Sequence, residues 1–167
     1  MKIDDAIRKL DVLVPNPTSG LPDKIFYYVS RTTPLINVDL LIQDKNKRTL
    51  FAWRSDDHAG KGWHIPGGVI RYRETIADRI KEVARREVGT SKITFDSKPL
   101  TVNEIIVKEK RDRAHFISLL YNCKIDQSFI LNNKDLTQND PGYLKWFETC
   151  PDDLLTWHEI YVELFNN

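Results

Sequence analysis

The sequence predicts an α+β domain built on a mixed β-sheet, and three observations carry that expectation. Residues 35–42 alternate apolar and polar side chains at the two-residue period of a half-buried strand. Residues 75–89 repeat apolar side chains at helical spacing between a capping box and a glycine. Strand-like segments follow that helix before a second helix closes the chain. At 167 residues and 41% hydrophobic composition, one globular domain with a sizeable core is expected. Residues 1–30 read as a helical and loop extension, and 31–167 as the core.

Ile3, Ala6, Ile7 and Leu10 predict a short amphipathic helix at the start. The Pro- and Gly-rich run from Val14 to Gly20 then breaks regular structure. A second short helix is expected between Leu21 and Arg31, after Pro22, with Phe26, Tyr27 and Val29 available to pack. In the strand over 35–42, Ile36, Val38, Leu40 and Ile42 share one face, and Asn37 and Asp39 the other. Asp44–Lys47 reads as a turn, Thr49–Arg54 as the returning strand, and residues 55–62 as a polar loop.

In the helix over 75–89, Thr75 and Asp78 form the capping box and Gly89 the C-terminal cap. At 3.6 residues per turn Ile76, Ile80 and Val83 form one stripe, and Glu87 falls on it. A carboxylate on a buried face is costly unless a cation or several donors meet it, so a positive group is expected opposite Glu87. Thr101–Lys108 and Ala114–Asn122 read as strands, joined by the charged Glu109–Arg113; the charge run Lys108–Arg113 reads as a solvated hairpin tip, the lesser alternative being that it helps to hold phosphates. Tyr143–Phe147 is a short last strand. Thr156 with Glu159 opens a terminal helix with Trp157, Ile160, Tyr161 and Leu164 on its inner side.

Twenty-five basic and 24 acidic residues leave a net charge of +1, so no nucleic-acid footprint is visible. Cys123 and Cys150 form neither a metal spacing nor a disulfide framework. The N-terminus lacks the apolar core of a signal peptide, and no run approaches the ~18 apolar residues of a membrane span. A cytoplasmic protein with no membrane partner is expected.

One stretch carries more than fold information. Gly68, five residues, Glu74, then Glu87 and Gly89 at their intervals resemble the Nudix box, preceded by Gly62-Trp63-His64-Ile65-Pro66-Gly67. The spacing runs without a gap. Four positions depart: Glu82 stands where the box has arginine, Val83 and Arg86 where it has its first two helical glutamates, and Thr90 where it closes on an apolar residue. The resemblance implies the Nudix fold, an α/β/α sandwich with a mixed sheet. Within that family the chain looks most like the GDP-mannose mannosyl hydrolases and related nucleotide-sugar hydrolases, through Arg31–Leu35, Val38–Leu40, Arg54, the box and Tyr143–Phe147. Members of that subgroup keep only the last helical glutamate and cut at the sugar carbon.

The resemblance implies a Mg²⁺ site, with Mn²⁺ as an alternative, made by the Gly67 carbonyl, the Glu87 carboxylate and Gln138. Such an ion suits diphosphate chemistry because it takes oxygen ligands and bridges few protein groups to phosphates. Arg54 would stabilise the departing diphosphate and Asp39 would sit in the sugar pocket, the alternative for Asp39 being a hydrogen-bonded structural aspartate. The subgroup's general-base histidine corresponds to Asn139, and a neutral amide takes no proton from water near pH 7. Substitute bases are His115 and Asp140, with His64 and His58 as further candidates; a structural role for His115 is equally open. The arginine after the double glycine is Val69, and Arg71 could serve instead. Trp53, Trp63, Tyr72 and Phe116 are candidate base-stacking groups.

Three readings remain: hydrolysis of a nucleotide sugar, pyrophosphohydrolysis of another nucleoside diphosphate derivative, and nucleotide binding without turnover. The resemblance also implies a homodimer. Residues 11–30 are expected to cap the cleft or the dimer interface.

Overall fold

The computed structural model describes residues 2–56 and 60–166; His58 lies outside them. The two N-terminal helices form as their spacing predicts, α1 over Ile3–Leu13 and α2 over Asp23–Ser30, with a single 3₁₀ turn at Pro17–Ser19 between them. Ser30 Oγ accepts the backbone N–H of Arg113 at 3.0 Å, and Arg31 pairs with Asp112 at 3.5 Å. α2 is thereby tied to the charged run that the sequence presents as a solvated tip.

Among the described residues eight strands divide between two sheets. The larger runs β4 (Gly67–Val69), β1 (Leu35–Ile42), β7 (His115–Ile125), β5 (Ile93–Phe95), with β6 (Thr101–Ile106) also on β7; the smaller runs β3 (Gly60–His64), β2 (Thr49–Asp56), β8 (Leu144–Phe147). β1 and β7 are parallel and the remaining pairs antiparallel. The result is the expected α+β architecture on a mixed sheet. Strands β3, β4 and β5 escape the sequence reading because three to five residues are too few to show a period. Ser55, Asp56 and Gly60–Gly62, expected as loop, extend the β2–β3 hairpin, with Asp56 opposite Gly60.

The Asp44–Lys47 turn forms, with the Asp44 carboxylate accepting the N–H groups of Asn46 and Arg48, each at 2.9 Å. β2 does not return along β1, however. A single bridge, Gln43 to Thr49, joins them, because β4 and β7 already occupy both edges of β1.

Alternation in β1 also stops halfway. Ile36 is 52% exposed while every residue from Val38 to Ile42 is buried. Val38, Leu40 and Ile42 pack beneath Ile80, Val83, Ala84 and Val88 on one face. On the other face Leu41 packs with Phe51, Trp63, Ile65, Tyr161 and Phe165. Both faces are covered, so the polar Asp39 is buried as well.

Helix α3 covers Ile76–Val83, and Thr75 Oγ1 accepts the Asp78 N–H at 3.1 Å. Ala84–Val88 continue as one π-helical turn, closed by Gly89 at φ 84°. The wider turn breaks the uniform 3.6 spacing, so Glu87 leaves the buried stripe and sits half-buried facing β4. The chain can approach this closely because residue 68 is glycine: a Cβ there would lie 3.0 Å from Val83 Cγ2.

The chain end is a 3₁₀ helix over Thr156–Tyr161 followed by α4 (Val162–Phe165), and Thr156 makes no side-chain cap. A 3₁₀ turn eclipses residues three apart, so the buried side is His158, Tyr161 and Phe165, while Ile160 is 48% exposed. Among the described residues no helix is long and apolar enough to cross a membrane.

Candidate active site

The site grows from the β1–β4 ladder. Leu40 N–H bonds to Pro66 O and Ile70 N–H to Ile36 O, with Asp39 opposite Gly67 in the register. Hydrogen-bonded and non-bonded pairs alternate in an antiparallel ladder, so Gly67 is a non-bonded position and its N–H and C=O both point away from β1. β4 is an edge strand. The Gly67 N–H is taken by Glu87 Oε2 at 3.3 Å, which places the Gly67 carbonyl on the same side as that carboxylate.

Glu87 is pushed up to about 7, first by its removal from water and further by the Asp39 charge; the Gly67 N–H, Arg54 and Arg79 pull the other way. The positive groups expected opposite Glu87 are therefore Arg54 and Arg79, acting through space. Asp39 is likewise raised to about 6 by burial, against three hydrogen bonds that favour its charged form. Those bonds come from Ser118 Oγ at 2.5 Å, Tyr161 Oη at 3.0 Å and Asn37 Nδ2 at 2.5 Å. Asp39 is thus a hydrogen-bonded structural aspartate that also lines the cavity. Gly67 is required above it, since a Cβ at 67 would meet Asp39 Oδ1 at 2.4 Å.

Two histidines stand in the same wall with rings 6.2 Å apart. His158 Nδ1 accepts the Ile65 N–H at 3.3 Å; the neutral ring then carries its proton on Nε2, which faces Asp39 Oδ2 at 3.9 Å. His64 Nδ1 lies 2.9 Å from the Ile65 carbonyl, so that nitrogen carries the proton and Nε2 is the acceptor. Burial lowers both to about 3, and each is a neutral, weakly basic ring at ordinary pH.

Cations close the cavity. Arg54, paired with Asp56, lines it together with Lys110, Arg113, Phe116 and Trp157. Lys110 Nζ stands 4.9 Å from the centre of the Trp157 ring, so the 109–113 run bridges to the chain end rather than projecting into water. A second, wider cavity of about 500 Å³ shares Arg54 and His64 and takes in Glu87, Trp53 and Asn132.

Other candidates lie elsewhere. Trp63 is buried in the core, edge-on to Trp53 and Phe147, and Tyr72 is 57% exposed beneath Arg73; neither offers a ring to the cavity. Arg71 approaches Gly20, whose added Cβ would lie 3.5 Å from Arg71 Nε, so it serves the N-terminal segment. His115 bonds Glu104 Oε1 at 3.1 Å on the opposite face of the sheet. Asp140 caps the Thr137 N–H and hydroxyl at 2.7 and 2.6 Å, which lowers its pKa. Gln138 and Asn139 are exposed in that loop, and Gln138 lines neither cavity.

The departure at Glu82 is resolved by geometry. Glu82 turns outward to Arg85 and Arg86, and Arg79, one turn earlier and 5% exposed, reaches Glu74 Oε2 at 2.7 and 2.8 Å. Glu74 also accepts the Arg71 N–H at 2.9 Å, so it braces the loop between β4 and α3. The sequence reading did not single out Arg79, Trp157 or His158 for the site, while Lys110 and Arg113 lie in the charged run for which it kept phosphate binding as the lesser alternative. Only Arg79 carried a local signal, an arginine five residues beyond Glu74.

No established protein-family profile matches the chain. The low-salt glycan biosynthesis protein Agl8 of Haloferax volcanii is 26% identical over 150 residues, spanning 88% of this chain and 92% of that protein. A MutT Nudix hydrolase of Burkholderia pseudomallei superposes with a TM-score of 0.60 at 18% identity, over 79% of this chain and 98% of that one. A UDP-X diphosphatase superposes with a TM-score of 0.54 at 19% identity, over 96% of this chain and 77% of that one. At these identities the likeness is one of architecture: this chain has the Nudix fold.

Proposed function

We propose that the chain is a divalent-metal-dependent hydrolase of a nucleoside diphosphate sugar, a GDP-mannose-like substrate being the leading case. The observation that carries this reading is the pairing of opposite chemistries across two adjoining cavities that share Arg54 and His64. Glu87 and the outward carbonyl of Gly67 stand at the edge of β4, and Arg54, Lys110 and Arg113 line the cavity beside them. An anionic diphosphate fits the cations, and the carboxylate with the carbonyl fits a hard cation.

The residues suit Mg²⁺ or Mn²⁺ only as a sparse site. Among the described residues no three His, Cys, Asp or Glu side chains converge on one point. Mg²⁺ keeps several waters and is commonly held by one or two carboxylates plus substrate phosphates, so one carboxylate and one carbonyl suffice when the substrate supplies the rest. When bound, such an ion would neutralise charge developing on the diphosphate. The chain's own residues then bind and orient: Arg54 and Arg113 hold the phosphates, and Trp157 and Phe116 offer apolar faces to an attached ring. Asp39 in the first cavity and Glu87 in the second are the groups whose proton affinities lie near neutral pH.

The glycan-related name of the archaeal relative supports a sugar-bearing substrate. Release of free sugar with nucleoside diphosphate marks cleavage at the sugar carbon. Release of sugar phosphate with nucleoside monophosphate marks pyrophosphohydrolysis. The test is a panel of nucleotide sugars with Mg²⁺ and with EDTA, alongside Glu87→Gln. Metal-dependent release that Glu87→Gln abolishes supports the proposal; equal release by the variant would sink it.

A second reading, binding without turnover, is favoured by the fate of the candidate bases. Asn139 is exposed, Asp140 is committed to Thr137, His115 is on the far face of the sheet, and His64 and His158 are held near 3. No product from any substrate, together with thermal stabilisation by nucleoside diphosphates, supports it.

A further inference from the structure

Ile65, buried between β3 and β4, holds both histidines of the cavity wall through its own backbone. Its N–H donates to His158 Nδ1 at 3.3 Å, and its carbonyl faces His64 Nδ1 at 2.9 Å. A neutral imidazole donates from one nitrogen and accepts at the other. A single residue therefore fixes the two rings in opposite tautomers, leaving an acceptor at His64 Nε2 and a donor at His158 Nε2. The rings lie 26° from parallel with centres 6.2 Å apart. Among the described residues neither Nε2 has a hydrogen-bond partner; that of His158 stops 3.9 Å from Asp39 Oδ2.

Such a pair selects by chemistry. An ionised phosphate oxygen only accepts, so it suits His158 but meets the lone pair of His64. An ammonium only donates, so it suits His64 and fails at His158. A hydroxyl does both, and in a wall removed from water a mismatched polar contact is costly. Burial keeps both rings neutral, so the pair holds no charge for phosphates, which the cavity meets instead with Arg54, Lys110 and Arg113.

The amide edge of a nucleobase also carries a donor and an acceptor, and size separates it from a sugar. The first cavity measures about 100 Å³ and the second about 500 Å³. A cavity of about 150 Å³ holds one benzene, so the first has room for a single small ring and only the second for a nucleoside. Arg54 and His64 line both, which sets the diphosphate at their junction.

We infer that the sugar end of the substrate lies in the first cavity, one of its hydroxyls donating to His64 Nε2 and accepting the Nε2–H of His158. The inference rests on the reading of the substrate as a nucleoside diphosphate sugar, and it makes the two histidines specificity-determining residues. His64 then serves as a hydrogen-bond acceptor rather than as a base.

Titration calorimetry in EDTA, where metal-dependent turnover is absent, tests it with GDP-mannose against GDP and UDP-glucose against UDP. Wild type is expected to bind at least one sugar-bearing ligand about tenfold or more tightly than its parent diphosphate. His64→Phe and His158→Phe, checked for folding by far-UV circular dichroism, should each cut that ratio about tenfold. A second arm needs no substitution: among monodeoxy analogues of the preferred sugar nucleotide, one should bind wild type about tenfold or more weakly. His64→Phe should bind that analogue and its parent alike. Sugar nucleotides that bind wild type no better than their diphosphates overturn the inference while leaving the anion site standing. Variants that weaken diphosphate and sugar nucleotide equally overturn it too, since the histidines would then only support the wall. A variant that instead changes the preference between GDP and UDP would assign the pair to the base. Absence of binding by all four ligands would overturn the substrate reading itself, and this inference with it.

Discussion

Replacing Glu87 by glutamine tests the electrostatics of the site without touching its shape. The folded chain holds the Glu87 proton at about 7 against an ordinary value of 4.5. A group whose folded pKa is raised contributes stability fully below its unfolded pKa, and that contribution is lost as pH rises through the folded value. A proton held at about 7 rather than 4.5 corresponds to ~3 kcal/mol of stability lost between about pH 4.5 and pH 7. Glutamine, neutral throughout, loses nothing over that window. Glu87→Gln should therefore match wild type near pH 4 and exceed it by ~2–3 kcal/mol at pH 8, about 5–10 °C in melting temperature for a chain of this size. Urea unfolding at a series of pH values reads the difference. Mg²⁺ added at pH 8 should close the gap by stabilising wild type alone. Two stability curves that stay parallel from pH 4 to pH 8 would refute the claim that Glu87 is a desolvated carboxylate waiting for a cation.

Three further outcomes follow from particular contacts. Gly67→Ala, whose Cβ would meet Asp39 Oδ1 at 2.4 Å and Val38 O at 3.0 Å, should cost about 2–4 kcal/mol by driving Asp39 from its donors; chemical denaturation showing less than about 0.5 kcal/mol would contradict that packing. Arg79→Met leaves Glu74 without its buried partner and should cost ~3 kcal/mol or more, whereas Glu82→Ala, at an exposed pair, should change stability little. Arg113→Ala should weaken nucleoside diphosphate binding about tenfold or more while His115→Ala leaves it unchanged, as titration calorimetry can show; the reverse order would move the anion site to the other face of the sheet.

What the sequence determined by itself is local. Thr75 with Asp78, Gly89, the Asp44 turn and the alternation beginning at Leu35 report on neighbours within a few residues, and the elements they mark are present. The box spacing likewise put Gly67, Gly68, Glu74 and Glu87 in one unit, because a strand, a loop and a helix in succession bring them together without help from the rest of the chain. The capping reading at Thr156 failed because the end of the chain is held by His158, Tyr161 and Phe165 entering the core, and that packing overrides a local cap. Only the tertiary structure decided which candidates share a cleft. His158 is 93 residues from the Ile65 amide it accepts, and Tyr161 is 122 from Asp39; no local pattern encodes contacts at such separations. The same closure removed Trp63 into the core, turned Glu82 outward while Arg79 took up Glu74, and carried His115 to the far face. A two-residue period assigns a side chain to one face of a strand, and only the packing of helices and a second sheet decides which face becomes the cleft and which the core.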